Sequence, residues 1–160
     1  MIHYVKGNLL DSDCDYICHQ VNCQGVVGSG IARQIRERWP EVYEKYRKEY
    51  DFWTIQMGRS ESPLGNIDLA RINNSNQSVI NMYTQRRYGY DGQRFTSYDA
   101  FAHALGLIKT YIPYDAKIGF PKNIGCGLGG GNWHVISALI EEILGEKFEV
   151  YIYEYDPKED

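Results

Sequence analysis

The sequence predicts an α/β sandwich with a mixed, largely parallel central sheet. Three observations lead there. Strand-like apolar runs alternate with stretches whose apolar residues recur at helical spacing. Two of the strand-like runs end in glycine-rich segments, Cys18 to Ala32 and Pro121 to Trp133, and each of these feeds a helical pattern. The chain has 160 residues, 43% of them hydrophobic, which suits one domain around one core.

Residues 2–6 alternate and form a first strand, left through the turn Gly7-Asn8-Leu9-Leu10. Asp15 to Val21 is a second strand, leading into the first glycine loop. Ile31, Ile35 and Trp39 mark a helix that Pro40 ends. Glu41 to Tyr50 carries Val42, Tyr43 and Tyr46 on one side of a second helix. Strands over Gly65–Ile72 and Ser78–Tyr83 flank the turn Asn73-Asn74-Ser75-Asn76 and make a hairpin. Residues 84–96 are polar, basic and aromatic, with Gly89 and Gly92, and read as a surface loop. Ser97 caps a helix whose face is Tyr98, Phe101, Leu105, Ile108 and Ile112. Lys117–Pro121 is a short strand before the second glycine loop. Trp133, Ile136, Leu139, Ile140 and Ile143 mark the next helix, and Lys147–Tyr155 the last strand.

Several function classes lose support at once. No apolar run is long enough to span a membrane, and the N-terminus is a strand pattern, so a cytoplasmic, monomeric protein is expected. A formal charge of −4 argues against a general nucleic-acid binder. Cys14, Cys18, Cys23 and Cys126 contain no Cys-x-x-Cys pair, so zinc spacing is absent and the thiols read as small buried hydrophobes. No metal or cofactor is expected. Neither glycine loop is a P-loop or a dinucleotide fingerprint.

The loops still carry chemistry. Glycine lets a backbone approach a ligand and aim N–H groups at it, and a following helix adds positive potential. Gly28, Ser29, Gly30 and Ile31 can present such groups to one phosphate, and Gly125, Cys126, Gly127 and Leu128 to a second. Six glycines between Gly119 and Gly131 are too many for an ordinary turn. Two loops of this kind can clasp a diphosphate.

Taken together, Gly7-Asn8-Leu9-Leu10, Asn22 to Ala32, Gly125 to Gly131 and the helix from Trp133 resemble the macro domain family over nearly the whole chain. The resemblance implies a three-layer α/β/α fold that binds ADP-ribose. Within the family, His19-x-x-Asn22-Cys23-x-Gly25-x-x-Gly28-x-Gly30-Ile31-Ala32, with Trp133 after the second loop, looks most like the yeast-type ADP-ribose-1''-phosphate phosphatase branch. Ile124-Gly125-Cys126-Gly127-Leu128 is shared with terminal ADP-ribose glycohydrolases. The lysine of that branch would fall near Thr84-Gln85 and its aspartate at Gly129, and this chain has neither. A further hydrolase branch carries aspartate where this chain has Ala32.

On this resemblance Asn22 holds the distal ribose and joins His19 as the catalytic pair. Leu128 caps the ribose. Asn8 and Leu9 lie at the adenine end, with Asn8 accepting through its carbonyl oxygen, and Tyr153 or Tyr155 stacks on the base. His19 acts as acid or nucleophile on a terminal phosphate, with Asp11 or Asp13 orienting it. His3, His103 and His134 read as structural or solvated. Arg86, Arg87 and Arg94 form a basic loop near the site. The leading expectation is a phosphatase converting ADP-ribose 1''-phosphate to ADP-ribose. The alternatives are a hydrolase releasing ADP-ribose from protein, nucleic acid or O-acetyl-ADP-ribose, and a non-catalytic reader of ADP-ribose.

Overall fold

The computed structural model describes residues 1–25, 30–56, 58, 63–86, 93–127 and 129–155. Six strands form one sheet: β1 (Ile2–Lys6), β2 (Tyr16–Asn22), β3 (Ile67–Arg71), β4 (Ser78–Gln85), β5 (Lys117–Pro121) and β6 (Glu149–Glu154). Their order is β1-β6-β5-β2-β4-β3. Every neighbouring pair is parallel except β3 with β4, the antiparallel hairpin the turn at Asn73–Asn76 demands. Four helices cover the sheet: α1 (Gly30–Arg38), α2 (Pro40–Asp51), α3 (Tyr98–Tyr111) and α4 (Trp133–Leu144).

The helix ends follow local chemistry. Pro40 occupies the first turn of α2, where its missing N–H costs nothing. Ser97 Oγ accepts from Ala100 N at 3.1 Å, and Asn132 Oδ1 accepts from His134 N at 2.8 Å, so α3 and α4 are both side-chain capped. Phe52–Gln56 extends α2 as a π-helical turn that the sequence pattern does not disclose.

Successive side chains point to opposite faces, and in the central strands both faces are buried (β4 is buried from Val79 to Gln85), so two apolar layers form. On one face Cys18, Ile80, Ile118, Phe120 and Val150 pack against Phe101, Leu105, Ile108, Ile136 and Ile140 of α3 and α4. On the other, Ile17, Val79 and Ala70 pack with Leu9, Leu10, Ile35 and Val42. A three-layer α/β/α sandwich results.

Gly119 belongs to this packing and not to the ligand loop. A Cβ there would lie 2.4 Å from Leu9 Cδ1 and 2.8 Å from Cys14 Sγ. Gly119→Ala is therefore expected to lower stability by about 1–3 kcal/mol through overpacking, read as a shift in urea midpoint at unchanged slope.

Candidate functional site

The sheet's topology defines where a ligand fits. After β2 the chain crosses to β3 and β4 on one side, and after β5 it crosses to β6 on the other. Ligands of open α/β sheets bind beyond the carboxyl ends of the strands at such a switch point. The register of β2 on β5 pairs Tyr16 with Ile118 and Ile17 with Gly119, at the amino ends. Beyond those pairs the strands part, and both glycine loops leave from the open end.

The first loop starts at a β-bulge. Val21 pairs with Tyr83 but Asn22 pairs with Gln85, so β4 carries one extra residue, Thr84, at this point. A bulge re-aims the side chains beside it. Cys23 N donates to Gln85 O at 3.0 Å and holds the strand end in place. Asn22 is half-buried, and its Oδ1 accepts from Gln24 N at 2.9 Å and from the Tyr46 hydroxyl at 2.8 Å. Gly30 begins α1 with φ +60°, a left-handed conformation, and Ile31 follows it with its side chain packed on the α1 face of the core. The contribution left to Gly30 and Ile31 is thus their backbone at a helix N-terminus. Gly28 and Ser29 lie outside the described residues.

The second loop rests on a polar bracket that sequence reading did not single out. Gln20 Nε2 donates to Gln85 Oε1 at 2.8 Å and to Thr96 Oγ1 at 3.1 Å, and Thr84 Oγ1 donates to Gln20 Oε1 at 2.7 Å. Thr96 Oγ1 in turn donates to Gly125 O at 2.8 Å, while Phe95 N and Thr96 N both donate to Gly129 O. The bracket explains why the loop needs glycine. A Cβ on Gly129 would come 2.5 Å from Thr96 Oγ1, and one on Gly131 would come 2.8 Å from Gly125 O. Gly127 differs: a Cβ there would meet none of the described residues within 4 Å. Cys126 is half-buried against the α3–α4 layer, its thiol donates to Ile124 O, and burial pushes its pKa up. A thiol held protonated is a poor nucleophile, and the Cys126 N–H donates to Asn123 O at 2.8 Å within the turn, so Cys126 shapes the loop while Gly125 and Gly127 present their backbone. Leu128 is outside the described residues.

At the turn after β1, where adenine is expected, Gly7 N donates to Glu154 O at 2.9 Å, and Leu9 joins the same core cluster as Tyr153. The structure therefore brings Asn8, Leu9 and Tyr153 together. It changes what two of them can do. Asn8 Oδ1 caps the 3-10 turn Leu9–Asp11 by accepting from Leu10 N at 3.0 Å, which leaves that oxygen one further lone pair. Leu9 is 2% exposed, and its side chain is core. Tyr155, at the end of β6, is 38% exposed.

His19 requires a correction. Its side chain is 2% exposed and lies on the α1–α2 side of the sheet, beside Val21, Ile35 and Tyr46. Its Nε2 pairs with Asn81 Oδ1 at 2.5 Å, while Nδ1 is buried with no partner among the described residues. Burial pulls its pKa down to about 4, against a smaller upward pull from Asn81, so the ring is neutral at pH 7. A neutral ring sealed beneath two helices is not placed to protonate a phosphate ester. Asp11 and Asp13 pair with Arg38 and Lys117 and not with His19. The network continues inward: Asn81 Nδ2 donates to Asp68 Oδ1 at 2.7 Å, and the Tyr83 hydroxyl donates to Asp68 Oδ2 at 2.6 Å. Burial raises the Asp68 pKa to about 6 although both bonds favour its charged form.

Of the basic loop, Arg86 and Arg94 line an open groove at the start of α3, with Arg94 4.4 Å from the Tyr98 ring centroid. Arg87, Gly89 and Gly92 lie outside the described residues. Thr84 and Gln85, where a catalytic lysine is expected in the glycohydrolase branch, are buried in the Gln20 bracket. Among the described residues no cluster of His, Cys, Asp and Glu has the makings of a metal site, and no helix is long and apolar enough to cross a membrane.

A mixed sheet in this order between two helical layers, with glycine loops at the switch point, is the macro domain fold. Solved structures bear this out. The chain is similar to a Bacteroides thetaiotaomicron protein of unknown function (TM-score 0.81, 28% identity, covering 96% of this chain and 98% of that one). It is also similar to the macrodomain of Mycobacterium tuberculosis DarG (TM-score 0.75, 24% identity, 96% and 97%). A third likeness is to Thermosipho africanus DarTG in complex with ADP-ribose (TM-score 0.76, 21% identity, 99% and 42%). Among curated proteins it resembles DNA ADP-ribosyl glycohydrolases of Thermus aquaticus (26% identical over 160 residues) and M. tuberculosis (27% over 160 residues). The match covers 96% and 98% of this chain but spans only 41% and 42% of those relatives' length. A shorter match, 42% identical over 52 residues (29% of this chain and 30% of the relative), is to an ADP-ribose 1''-phosphate phosphatase of the yeast Scheffersomyces stipitis. No protein-family profile matches the chain.

Proposed function

We propose that this macro domain binds ADP-ribose and hydrolyses the glycosidic bond that joins ADP-ribose to DNA. The observation that carries the reading is the pair of glycine loops leaving the parted carboxyl ends of β2 and β5. Backbone N–H groups at the start of α1 and of Gly125 and Gly127 hold the diphosphate, and the Asn22 amide holds the distal ribose diol. The room beside Gly127, where a Cβ would meet none of the described residues within 4 Å, supports the diphosphate approaching the loop backbone there. The reaction needs a water oxygen to bond to C1'' of the distal ribose as the bond from C1'' to DNA breaks, with the water's proton passing to the leaving group. The described residues supply orientation and N–H dipoles, which favour the transition state by fixing the ribose and the diphosphate relative to that water.

The names carried by two curated matches of 160 residues support DNA as the bearer of the ADP-ribose, and Arg86 and Arg94 line a groove at the start of α3. The 52-residue match keeps phosphatase action on ADP-ribose 1''-phosphate as a second reading. His19 in its buried position takes no acid role in either.

The test uses two substrates in parallel: an oligonucleotide bearing one ADP-ribosylated base, and ADP-ribose 1''-phosphate, each followed by mass spectrometry. Release of ADP-ribose and intact DNA from the first is the expected result. Phosphate release from the second alone would replace it with the phosphatase reading. Binding of ADP-ribose with turnover of neither would leave a reader.

A further inference from the structure

We propose that Tyr46 is the positioning residue for the distal-ribose contact, setting the Asn22 amide through a buried hydroxyl. The inference rests on the function proposed above. Tyr46 is 1% exposed and lies on α2, outside both glycine loops. Its hydroxyl is 2.8 Å from Asn22 O and 2.8 Å from Asn22 Oδ1. One donor therefore spans both the backbone and the side chain of the residue at the bulge, where the register of β2 on β4 shifts. The Tyr46 ring is itself held. It stacks on Tyr83 with centroids 5.7 Å apart, and the Tyr83 hydroxyl is tied to Asp68 at 2.6 Å. The carboxamide is thus oriented from beneath by a chain of buried groups anchored in β3 and β4.

The geometry has a consequence for ligand choice. A carboxamide oxygen engaged by Tyr46 and by Gln24 N cannot rotate without breaking two bonds. The amide nitrogen is thereby assigned one direction, and a diol meets a preset donor instead of a rotor that must be ordered on binding. The benefit accrues only to ligands that carry the distal ribose. ADP, which shares the adenosine and diphosphate but lacks that ribose, does not draw on it.

The experiment is titration calorimetry of wild type and Tyr46→Phe with ADP-ribose and with ADP. Phenylalanine keeps the ring, the stack on Tyr83 and nearly all the volume, and a urea midpoint verifies the fold. The expected result is about a tenfold loss of ADP-ribose affinity with ADP affinity unchanged. Asn22→Ala should show the same selective loss, and adding Tyr46→Phe to it should cost nothing further, because the hydroxyl acts through Asn22. Equal losses for both ligands, or an ADP-ribose affinity indifferent to Tyr46→Phe, would overturn the inference while leaving the function standing. A wild type that ignores ADP-ribose at millimolar concentration would overturn both.

Discussion

Gly127→Ala is expected to weaken ADP-ribose binding at least tenfold while leaving stability within about 0.5 kcal/mol of wild type, whereas Gly130→Ala should do heavy damage to stability itself. The two glycines are three residues apart in one loop, and their surroundings differ. A Cβ on Gly127 enters open space, the space where the diphosphate is proposed to approach the backbone, so the methyl group displaces ligand and not protein. Gly130 has φ +73°, and a Cβ there would fall 2.6 Å from Gln93 O and 2.9 Å from Arg94 Cα. A left-handed alanine costs about 1–2 kcal/mol, and pushing the 93–96 segment away adds about 1–3 kcal/mol, since that segment is bonded to Gly129 O. Urea unfolding and calorimetry on the same two variants separate the effects. If Gly127→Ala bound ADP-ribose like wild type, the second loop would not be a phosphate cradle.

Asp68→Asn should make stability climb steeply with pH, by about 3 kcal/mol between pH 4 and 6.5, relative to a wild type that changes little from this source. The reason lies in two opposed titrations within one buried network. Asp68 is protonated in the fold up to about pH 6 but ionises near the ordinary carboxylate value when unfolded. Its folded state therefore binds the extra proton between about pH 4 and 6, and its contribution to stability is lost as pH rises through that window. His19 is neutral in the fold down to about pH 4 but takes a proton below about 6.5 when unfolded. There the unfolded state binds the extra proton, and stability is gained as pH rises. Folding near pH 5 in effect moves a proton from the histidine to the carboxyl group with no net exchange with solvent. Replacing Asp68 removes one arm and exposes the other. Urea midpoints of both proteins from pH 4 to 7 give the comparison, and parallel curves would contradict the assignment of charge states.

Much of the fold was legible because burial is periodic. The short strand read at Lys117–Pro121 and the i, i+3, i+4 pattern from Tyr98 match their elements to the residue or nearly so, and Ser97 caps the helix it was expected to cap. Both glycine loops lie where strand-then-helix patterning put them. The failures share a cause. His19 sits one residue from Gln20 on a strand, so the two point to opposite faces, and a local motif cannot say which face the loops overhang. Gln20 proved to be the residue beneath the second loop, and its partners Thr84, Gln85 and Thr96 come from 64 to 76 residues away. Asn8 also caps the 3-10 turn that follows it, a local role that its place in a family pattern does not disclose. Gly119 was counted with the loop glycines on proximity in sequence, while its role is set by Leu9 on a different element.

The central claim is that the open carboxyl end between β2 and β5 is an ADP-ribose site, and amide NMR of the 15N-labelled chain titrated with ADP-ribose tests it most directly. The account predicts saturable shifts at Gly30, Ile31, Gly125, Cys126 and Gly127, with His103 and the α3 amides facing away from the loops unmoved. An unchanged spectrum at millimolar ligand, or shifts confined to a different face of the sheet, would contradict it.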